Sequence, residues 1–151
     1  MSILLDDAVR WPEPFSWFGA IPAIEIEDWL RRNQITIPSD LIELWKATGG
    51  GDVFESETIL RPTVQTLPNS GFVGDDIESA NRSLSTARNS DGLFIFQRGV
   101  FRSAIRLRDQ QFVTLDDNFM VTGCYPSLDE WYVYTIRTEF GSRYGLNSIG
   151  I

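Results

Sequence analysis

The chain has 151 residues, of which 42% are hydrophobic and 23% charged, which is the size and composition of one globular domain. Its net charge of −8 argues against a general nucleic-acid binder, because such proteins neutralise phosphates with a basic surface. The sequence contains no histidine and a single cysteine. These counts exclude Ser-His-Asp and Cys-His catalysis, and they exclude zinc sites built from histidine and cysteine.

The first residues and the cysteine content indicate in which cellular compartment the protein is located. The opening MSILLDDAVRW lacks the basic and apolar parts of a secretory signal. The lone Cys124 cannot form an intramolecular disulfide, which fits a reducing environment. No apolar run approaches the length of a membrane span. We therefore expect a cytoplasmic protein without a membrane partner.

Prolines and aromatic residues are concentrated at the beginning. Residues 1–22 contain three prolines and four aromatic side chains. This composition predicts an irregular entry segment whose rings pack on the rest of the protein. The following residues, 23–151, are expected to form the body of the same single domain.

Three helices and a strand are predicted next. Residues 23–33 place apolar side chains on one stripe, with acidic residues early and basic residues late, as a helix prefers. A second helix is predicted from Ser39, its N-cap, to Gly49, which suits the left-handed C-cap position. A strand is expected over 56–62 and a third helix over 76–87.

The second half of the chain has the pattern of a sheet. LFIF, residues 93–96, is apolar on both parities, which predicts a central strand covered on both faces. In the next segment, FRSAIRLR, apolar and basic side chains alternate, so one face carries Arg102, Arg106 and Arg108. QFVTLD then returns as a hairpin partner. Matching the apolar faces requires Leu107 to pair with Val113 across an odd-length turn.

A well-marked helix start follows. Ser127 and Glu130 form the capping-box pattern S-x-x-E, which predicts that the last helix begins at this point. Helical spacing of apolar residues continues from there until Gly141 or Gly145, either of which can end the helix.

The stretch KATGGGDVFESE contains three consecutive glycines, Gly49 to Gly51. A phosphate-binding loop would need a lysine after the glycines and a helix N-terminus beside them. Here the glycines follow a helix C-terminus, and acidic residues such as Asp52 and Glu55 add negative charge. The sequence therefore predicts a helix-capping turn rather than a phosphate site.

Two pairs of adjacent aspartates are the remaining candidates for metal or acid–base chemistry: Asp75–Asp76 and Asp116–Asp117. Neither has the spacing of a calcium-binding loop. The first pair is interpreted as helix capping, and neighbours in the second pair point to opposite faces of a strand. Cys124 has no basic neighbour in sequence and is interpreted as a buried, small apolar residue. No catalytic residue, metal site or cofactor is predicted.

Several short motifs follow one another in a recognisable order. A short acidic helix (Ile24 to Leu30) precedes Ile37-Pro38-Ser39-Asp40, a helix ending in Leu44-Trp45, and a turn with Gly49-Gly50. LFIFQRGVFRSAIRLRDQQFVTLD then supplies an apolar strand and hairpin, and SLDEWYVYTI a closing helix. Over residues 24–140 this order resembles the SUKH superfamily, which includes the fungal glucan-synthesis and cell-wall-assembly regulators.

The resemblance implies a single α+β domain with a curved, mainly antiparallel sheet flanked by helices. Bacterial members of the superfamily look like immunity proteins, which bind and neutralise a cognate toxin. Fungal members look like regulatory scaffolds. Neither role requires catalysis, which agrees with the chemistry excluded above.

Three functions follow from these observations, and the first is preferred. It is a non-catalytic immunity protein whose acidic half steers a toxin with a basic surface, and its candidate contacts are Asp52, Glu55, Glu57, Asp75 and Asp76. A second candidate surface, for an acidic partner, is the arginine face of Arg102, Arg106 and Arg108. The second function is a regulatory interaction module. The third is a carboxylate-based glycan hydrolase, which needs two carboxyl groups about 5–9.5 Å apart in a cleft.

Overall fold

The computed structural model of this protein describes residues 2–62 and 92–146. It is an α+β domain, as predicted, in which helices flank an antiparallel sheet. The helices are α1 (Ile3–Arg10), α2 (Ala23–Asn33), α3 (Ser39–Thr48) and α4 (Leu128–Tyr132). Beyond α4 the chain continues through a π-helical turn (Val133–Arg137), α5 (Thr138–Phe140) and a 3₁₀ turn (Gly141–Tyr144). We call residues 128–144 the C-terminal helical segment.

The described strands form one seven-stranded sheet in which the spatial order is the chain order. They are β1 (Phe15–Trp17), β2 (Gly51–Val53), β3 (Glu57–Ile59), β4 (Leu93–Arg98), β5 (Arg102–Arg106), β6 (Gln111–Leu115) and β7 (Val121–Tyr125). Each strand is antiparallel to the next. The predicted central position of residues 93–96 is confirmed, because β4 has three strands on either side.

The side chains of the sheet are divided between two faces. On the face that we call the helix face, Phe94 contacts Trp29 of α2 and Phe96 contacts Trp131 of α4, with ring centroids 6.0 and 4.8 Å apart. Residues on the second face of the central strands are also buried, as Ile95, Ala104 and Val113 illustrate. The prediction that this strand is covered on both faces is therefore confirmed.

A β-bulge in β4 brings two consecutive side chains to the helix face. The register shifts between Ile95 and Gln97, so Phe96 has no partner in β5. The ring of Phe96 lies against Phe112 and Trp131 in edge-to-face contacts. Gln97 follows on the same face and is completely buried. The bulge thus places a polar amide inside the protein, where it needs hydrogen-bond partners.

The prediction that residues 1–22 form an irregular entry segment is wrong. Ser2 caps α1, because its Oγ accepts the Leu5 N–H at 3.1 Å. Phe15 begins β1 and pairs with Val53 of β2, which makes the entry segment an edge of the sheet. The prediction that its rings pack on the domain is confirmed for Phe15, which is 8% exposed and contacts Phe54.

A buried ion pair joins α1 to the C-terminal helical segment. Asp7 Oδ2 accepts hydrogen bonds from Arg137 Nε at 2.7 Å and from the Tyr132 hydroxyl at 2.6 Å. Burial, and then the hydrogen bond to Asp7, raise the pKa of Tyr132 far above its ordinary value. These three side chains fix the position of the N-terminal helix.

Local signals predicted α2 and most of α3 correctly. α2 spans the predicted residues 23–33. α3 starts at Ser39 itself with Pro38 in the N-cap position, so the N-cap prediction for Ser39 is wrong by one residue. Gly49 is the left-handed C-cap that the sequence predicts, with a φ of 76°.

Each glycine of the triple run lies against a different backbone segment. A Cβ on Gly49 would lie 1.9 Å from the Gly19 carbonyl oxygen, and one on Gly51 would lie 2.2 Å from that of Ser16. A Cβ on Gly50 would lie 2.5 Å from the Ile59 oxygen. The run is a capping turn, as predicted, and close packing around it explains why all three residues lack a side chain.

The predicted register of the β5–β6 hairpin is wrong. Ile105 pairs with Phe112, and Ala104 pairs with Val113, so Leu107 does not face Val113. Four residues, 107–110, form the turn, and Gln110 adopts a left-handed φ of 59° there. With this register Ile105 and Phe112 share the helix face, which the apolar pattern alone did not distinguish.

The last helix begins as predicted. Ser127 Oγ accepts the Glu130 N–H at 3.1 Å, and the helical residues end at Tyr144, with Gly145 as the left-handed C-cap at a φ of 82°. The π-helical turn at Val133–Arg137 has no counterpart in the prediction.

Some predictions lie outside the described residues, namely the helix over 76–87 and both members of the Asp75–Asp76 pair. Among the helices of the described residues, none has the length and apolar character needed to cross a membrane.

Candidate functional site

The order of the strands brings three hairpin turns to one end of the sheet. In a consecutive antiparallel sheet, alternate turns lie at the same end. The turns after β2, β4 and β6 are residues 54–56, 99–101 and 116–120. The β5–β6 turn, residues 107–110, lies at the opposite end. We call the first three turns, with the strand residues beside them, the hairpin end.

The tips of these turns expose a mixture of charge and apolar surface. Glu55 is exposed at the first tip, Val100 is 72% exposed at the second, and Met120 is 64% exposed at the third. Neighbouring tips are two strand spacings apart, about 10 Å, so the three tips span about 20 Å. A protein-sized contact of about 800 Å² per partner covers such a distance.

A row of side chains runs across the sheet directly behind the tips. Successive Cα partners on the second face are Asp52, Thr58, Arg98, Arg102, Leu115 and Val121, one from each strand from β2 to β7. Thr58 Oγ1 donates to Asp52 Oδ1 at 2.9 Å. The row is acidic at the β2 side, basic in the middle and apolar at the β7 side.

The β6–β7 turn is closed by side-chain hydrogen bonds and contacts the basic part of this row. Asp116 Oδ1 accepts the backbone N–H of Asn118 at 2.8 Å and that of Met120 at 3.0 Å. Phe119 has a left-handed φ of 62°, and the Arg102 guanidinium lies 5.2 Å from the centre of its ring. Arginine, methionine and aromatic side chains are enriched at protein interfaces, and all three occur here.

The β2–β3 turn has an unusual backbone. Phe54 and Glu55 both have positive φ, 53° and 66°, which is disfavoured for residues with a Cβ. The Phe54 ring is buried and contacts Phe15, Phe140 and Tyr144, and these contacts fix its backbone. Glu55 follows at the exposed tip of this turn.

Glu57 lies inside the protein and is not a surface contact. It is fully buried, and its Oε2 accepts hydrogen bonds from Ser56 Oγ and from the Val100 N–H, each at 2.9 Å. Its Oε1 accepts the Gln97 side-chain amide at 2.9 Å. Ser56 and Val100 belong to two different turns, so the Glu57 carboxylate holds the first and second tips together. In the sequence Glu57 is only a charged residue of a predicted strand, and nothing there indicates that it joins two turns.

The hydrogen bonds of Glu57 are part of a network that continues from the hairpin end to the core. The bulge at β4 aims Gln97 at Ser103, whose hydroxyl donates to Gln97 Oε1 at 2.6 Å. The Ser103 oxygen also accepts the Trp131 indole N–H at 2.9 Å. Hydrogen bonds thus connect the turns to α4, and a fully satisfied buried network of this kind favours one conformation.

The three arginines proposed as one face are separated in the structure. Arg102 lies at the hairpin end, whereas Arg106 lies at the other end of β5 and Arg108 is exposed in the 107–110 turn. Arg106 Nη2 donates to Asp109 Oδ2 at 2.9 Å, and this hydrogen bond is the main reason why the pKa of Asp109 lies below its ordinary value. Of these three arginines, only Arg102 therefore lies at the hairpin end.

The interpretation of Cys124 as a buried residue is wrong. Cys124 is exposed, and Arg106 Nη2 lies 3.3 Å from its Sγ. β7 is an edge strand, which leaves its side chains on the second face open to solvent. The basic neighbour comes from a strand two positions away in the sheet, so inspection of adjacent residues in the sequence missed it.

A cleft of about 320 Å³ lies where α1, α3 and α4 begin, and the carboxylates of Asp40, Glu43 and Asp129 line it. Two of these carboxylates already bind backbone groups: Asp40 Oδ2 accepts the Leu128 N–H at 2.8 Å, and Asp129 Oδ1 accepts the Ile3 N–H at 2.9 Å. They join the helix starts to one another. The described parts of the chain contain no group of three or more ligating side chains placed to hold a metal ion.

Sequence reasoning found part of the hairpin end. It selected Asp52, Glu55 and Arg102 by charge, but it did not select Val100 or Met120, which carry much of the exposed apolar area. A consecutive strand order, had it been inferred, would have placed their turns together. The predicted contacts Asp75 and Asp76 lie outside the described residues.

No protein-family model matches the chain, and no curated protein matches its sequence. A functional proposal therefore depends on the geometry of the hairpin end and on the sequence resemblance described above.

Proposed function

We propose that this chain is a non-catalytic protein-binding module, an immunity protein that binds a cognate toxin through the hairpin end and neutralises it. The main observation behind this proposal is the set of exposed side chains at the hairpin end. Three turn tips present Glu55, Val100 and Met120 over about 20 Å. The row behind them adds four side chains that are at least partly exposed, Asp52, Arg98, Arg102 and Val121. Such a mixture of charged and apolar groups is found at protein interfaces.

Charge supports a basic partner. The chain has a net charge of −8, and the β2 side of the hairpin end exposes Glu55 and, in part, Asp52. A negative protein attracts a basic partner from a distance and so accelerates encounter. Toxins that act on nucleic acids carry the basic surface that such steering needs.

The sequence supports the toxin-neutralising role through its resemblance to the SUKH superfamily, in which bacterial members look like immunity proteins. The lack of histidine and the low cysteine count agree with a role that requires binding alone. A regulatory interaction module would use the same surface, and the genetic neighbourhood separates the two roles. A toxin gene beside this one favours neutralisation, whereas signalling genes favour regulation.

A rescue assay tests the proposal. Each protein encoded beside this gene is expressed alone in a host, and one that arrests growth is then expressed together with this chain. We expect the wild-type chain to restore growth. The double variant Val100→Asp with Met120→Asp should lose rescue, because two apolar contacts become charged.

The matched control is Ile24→Asp on α2, where an exposed apolar residue away from the hairpin end becomes charged. It should rescue growth like the wild type. Circular dichroism of each purified variant checks that the fold is kept. Rescue by the double variant at wild-type level would contradict the proposed surface, and failure of the wild-type chain to rescue would contradict the proposed function.

A further inference from the structure

Four buried polar side chains form a line of hydrogen bonds from α4 to the hairpin end, and we call them the Glu57 network. Trp131 Nε1 donates to Ser103 Oγ at 2.9 Å, and the Ser103 hydroxyl donates to Gln97 Oε1 at 2.6 Å. Gln97 Nε2 then donates to Glu57 Oε1 at 2.9 Å. All four residues are 0% exposed, so each polar group depends on its protein partner instead of on solvent.

The two ends of the Glu57 network fix the direction of every hydrogen bond in it. The Trp131 indole N–H can only donate, so the one hydroxyl proton of Ser103 remains for Gln97. Gln97 therefore presents its oxygen to Ser103 and its NH₂ group to Glu57, and that NH₂ group also donates to the Phe101 carbonyl oxygen at 3.2 Å. A reversed amide would place its oxygen against the carboxylate and this carbonyl. Each link consequently depends on the next one.

The carboxylate end of the network is in contact with two of the tips. The Val100 N–H and the Ser56 hydroxyl both donate to Glu57 Oε2 at 2.9 Å. A Cβ on Gly99 would lie 2.3 Å from the same oxygen, so the turn at 99–101 closes directly over the carboxylate. Among the described residues, no arginine or lysine forms an ion pair with Glu57. Hydrogen-bond donors thus stabilise its buried negative charge.

We propose that the Glu57 network couples the hairpin end to α4, so that displacing the second tip from the carboxylate also weakens the hydrogen bond of the Trp131 indole. A buried carboxylate that loses one donor draws on its remaining donors, and through Gln97 and Ser103 these lead to Trp131. The coupling is reciprocal, because a change at Trp131 must alter the hold on the second tip to the same extent. This inference concerns the free protein and is independent of the proposed function.

Hydrogen exchange of the indole N–H groups, measured by NMR, tests the coupling from the surface inwards. Gly99→Ala places a Cβ against the carboxylate. The Trp45 indole is the internal reference, because it is equally buried but donates to the Leu60 carbonyl oxygen, outside the Glu57 network. We expect the exchange rate of the Trp131 indole, divided by that of the Trp45 indole, to rise about tenfold in this variant.

Two further variants separate coupling from general destabilisation. Gly92→Ala is the matched control, because its left-handed φ of 62° strains any side chain while the new Cβ would meet only Leu107, at 3.6 Å. Gly92 precedes β4 at the end opposite the 99–101 turn, so this variant should leave the indole ratio unchanged. Ser56→Ala removes one donor from the carboxylate without adding volume. It should raise the ratio by a smaller factor, and it serves as the test if Gly99→Ala does not fold.

The reciprocal experiment begins in the core. Ser103→Ala removes the link between Gln97 and Trp131, and the Val100 backbone amide should then exchange faster relative to the amides of the 107–110 turn. Thr114→Val is the control, because it removes a hydroxyl from the residue that pairs with Ser103 but lies outside the network. It should leave the relative exchange of the Val100 amide unchanged.

Three results would each overturn the inference. One is an unchanged indole ratio in both Gly99→Ala and Ser56→Ala, and another is an equal rise of that ratio in Gly92→Ala. The third is an unchanged Val100 amide in Ser103→Ala. All these samples contain the free protein, so none of the three results would count against the proposed function, which the rescue assay tests.

Discussion

The buried contact between Asp7 and Arg137 allows a quantitative prediction for Asp7→Ala. Asp7 is 2% exposed and Arg137 6% exposed, and their side chains meet at 2.7 Å. The substitution removes the carboxylate from a buried guanidinium and from the Tyr132 hydroxyl. Loss of one partner from a buried ion pair destabilises a protein by about 3–5 kcal/mol. For a chain of this length we expect a melting temperature lower by about 6–20 °C.

Urea unfolding followed by tryptophan fluorescence measures this change, because Trp29, Trp45 and Trp131 are all fully buried. Asp6→Ala is the matched control, since Asp6 is exposed on the same helix, and it should cost less than about 1 kcal/mol. The double variant Asp7→Leu with Arg137→Met should recover most of the lost stability, because it removes both charges together. A loss below about 1 kcal/mol for Asp7→Ala would refute the burial of this pair.

Three further predictions concern the turns and caps. Gly50→Ala should destabilise the fold by more than about 2 kcal/mol in urea unfolding, because φ at this position is 80° and the new Cβ would lie 2.5 Å from the Ile59 oxygen. An unchanged urea midpoint would contradict the close packing around the three glycines. Arg106→Ala should move the titration midpoint of Asp109 upwards towards its ordinary 3.8, as followed by carboxyl NMR, because Arg106 is the main cause of the lowered pKa. The Arg106–Asp109 pair therefore stabilises the fold above that pH and loses its effect as pH falls through the lowered pKa, so the variant should show a weaker loss of stability on acidification. Ser127→Ala should cost about 0.5–2 kcal/mol in thermal unfolding through loss of the helix cap, and an unchanged melting temperature would argue against that cap.

Features set by neighbouring residues could be predicted from the sequence. The bounds of α2 followed from its apolar stripe and charge distribution, and the start of α4 followed from the S-x-x-E pattern at Ser127. The central position of β4 followed from its apolar residues on both parities. In each case the deciding interaction lies within a few residues, where propensity and capping rules apply.

Features set by distant residues could not. Asp7 and Arg137 are 130 positions apart, and nothing in either local pattern indicates the other. Glu57 looked like a surface charge, since its partner Gln97 lies 40 positions further along the chain and is turned inwards by a bulge. The β5–β6 register was missed because apolar residues occur on both parities in QFVTLD, which leaves the choice to packing on the helix face.

The hairpin end was only partly predictable for a related reason. Charge identified Glu55 and Arg102, but the exposure of Val100 and Met120 depends on a strand order that places alternate turns side by side. Isolated apolar residues in turns are common and carry no signal by themselves. Val100 and Met120 become part of a candidate surface only because the strand order places their turns at the same end of the sheet.

Hydrogen exchange on the complex locates the surface that binds the partner. The chain is mixed with a candidate partner, a protein encoded beside this gene that arrests growth when it is expressed alone, and amide exchange is compared between the free and mixed samples. We expect amide exchange to slow on binding mainly at residues 54–56, 99–101 and 116–120. The turn at 107–110 should exchange as fast as in the free protein. Protection confined to the 107–110 turn or to α2, with unchanged exchange at the three tips, would contradict it.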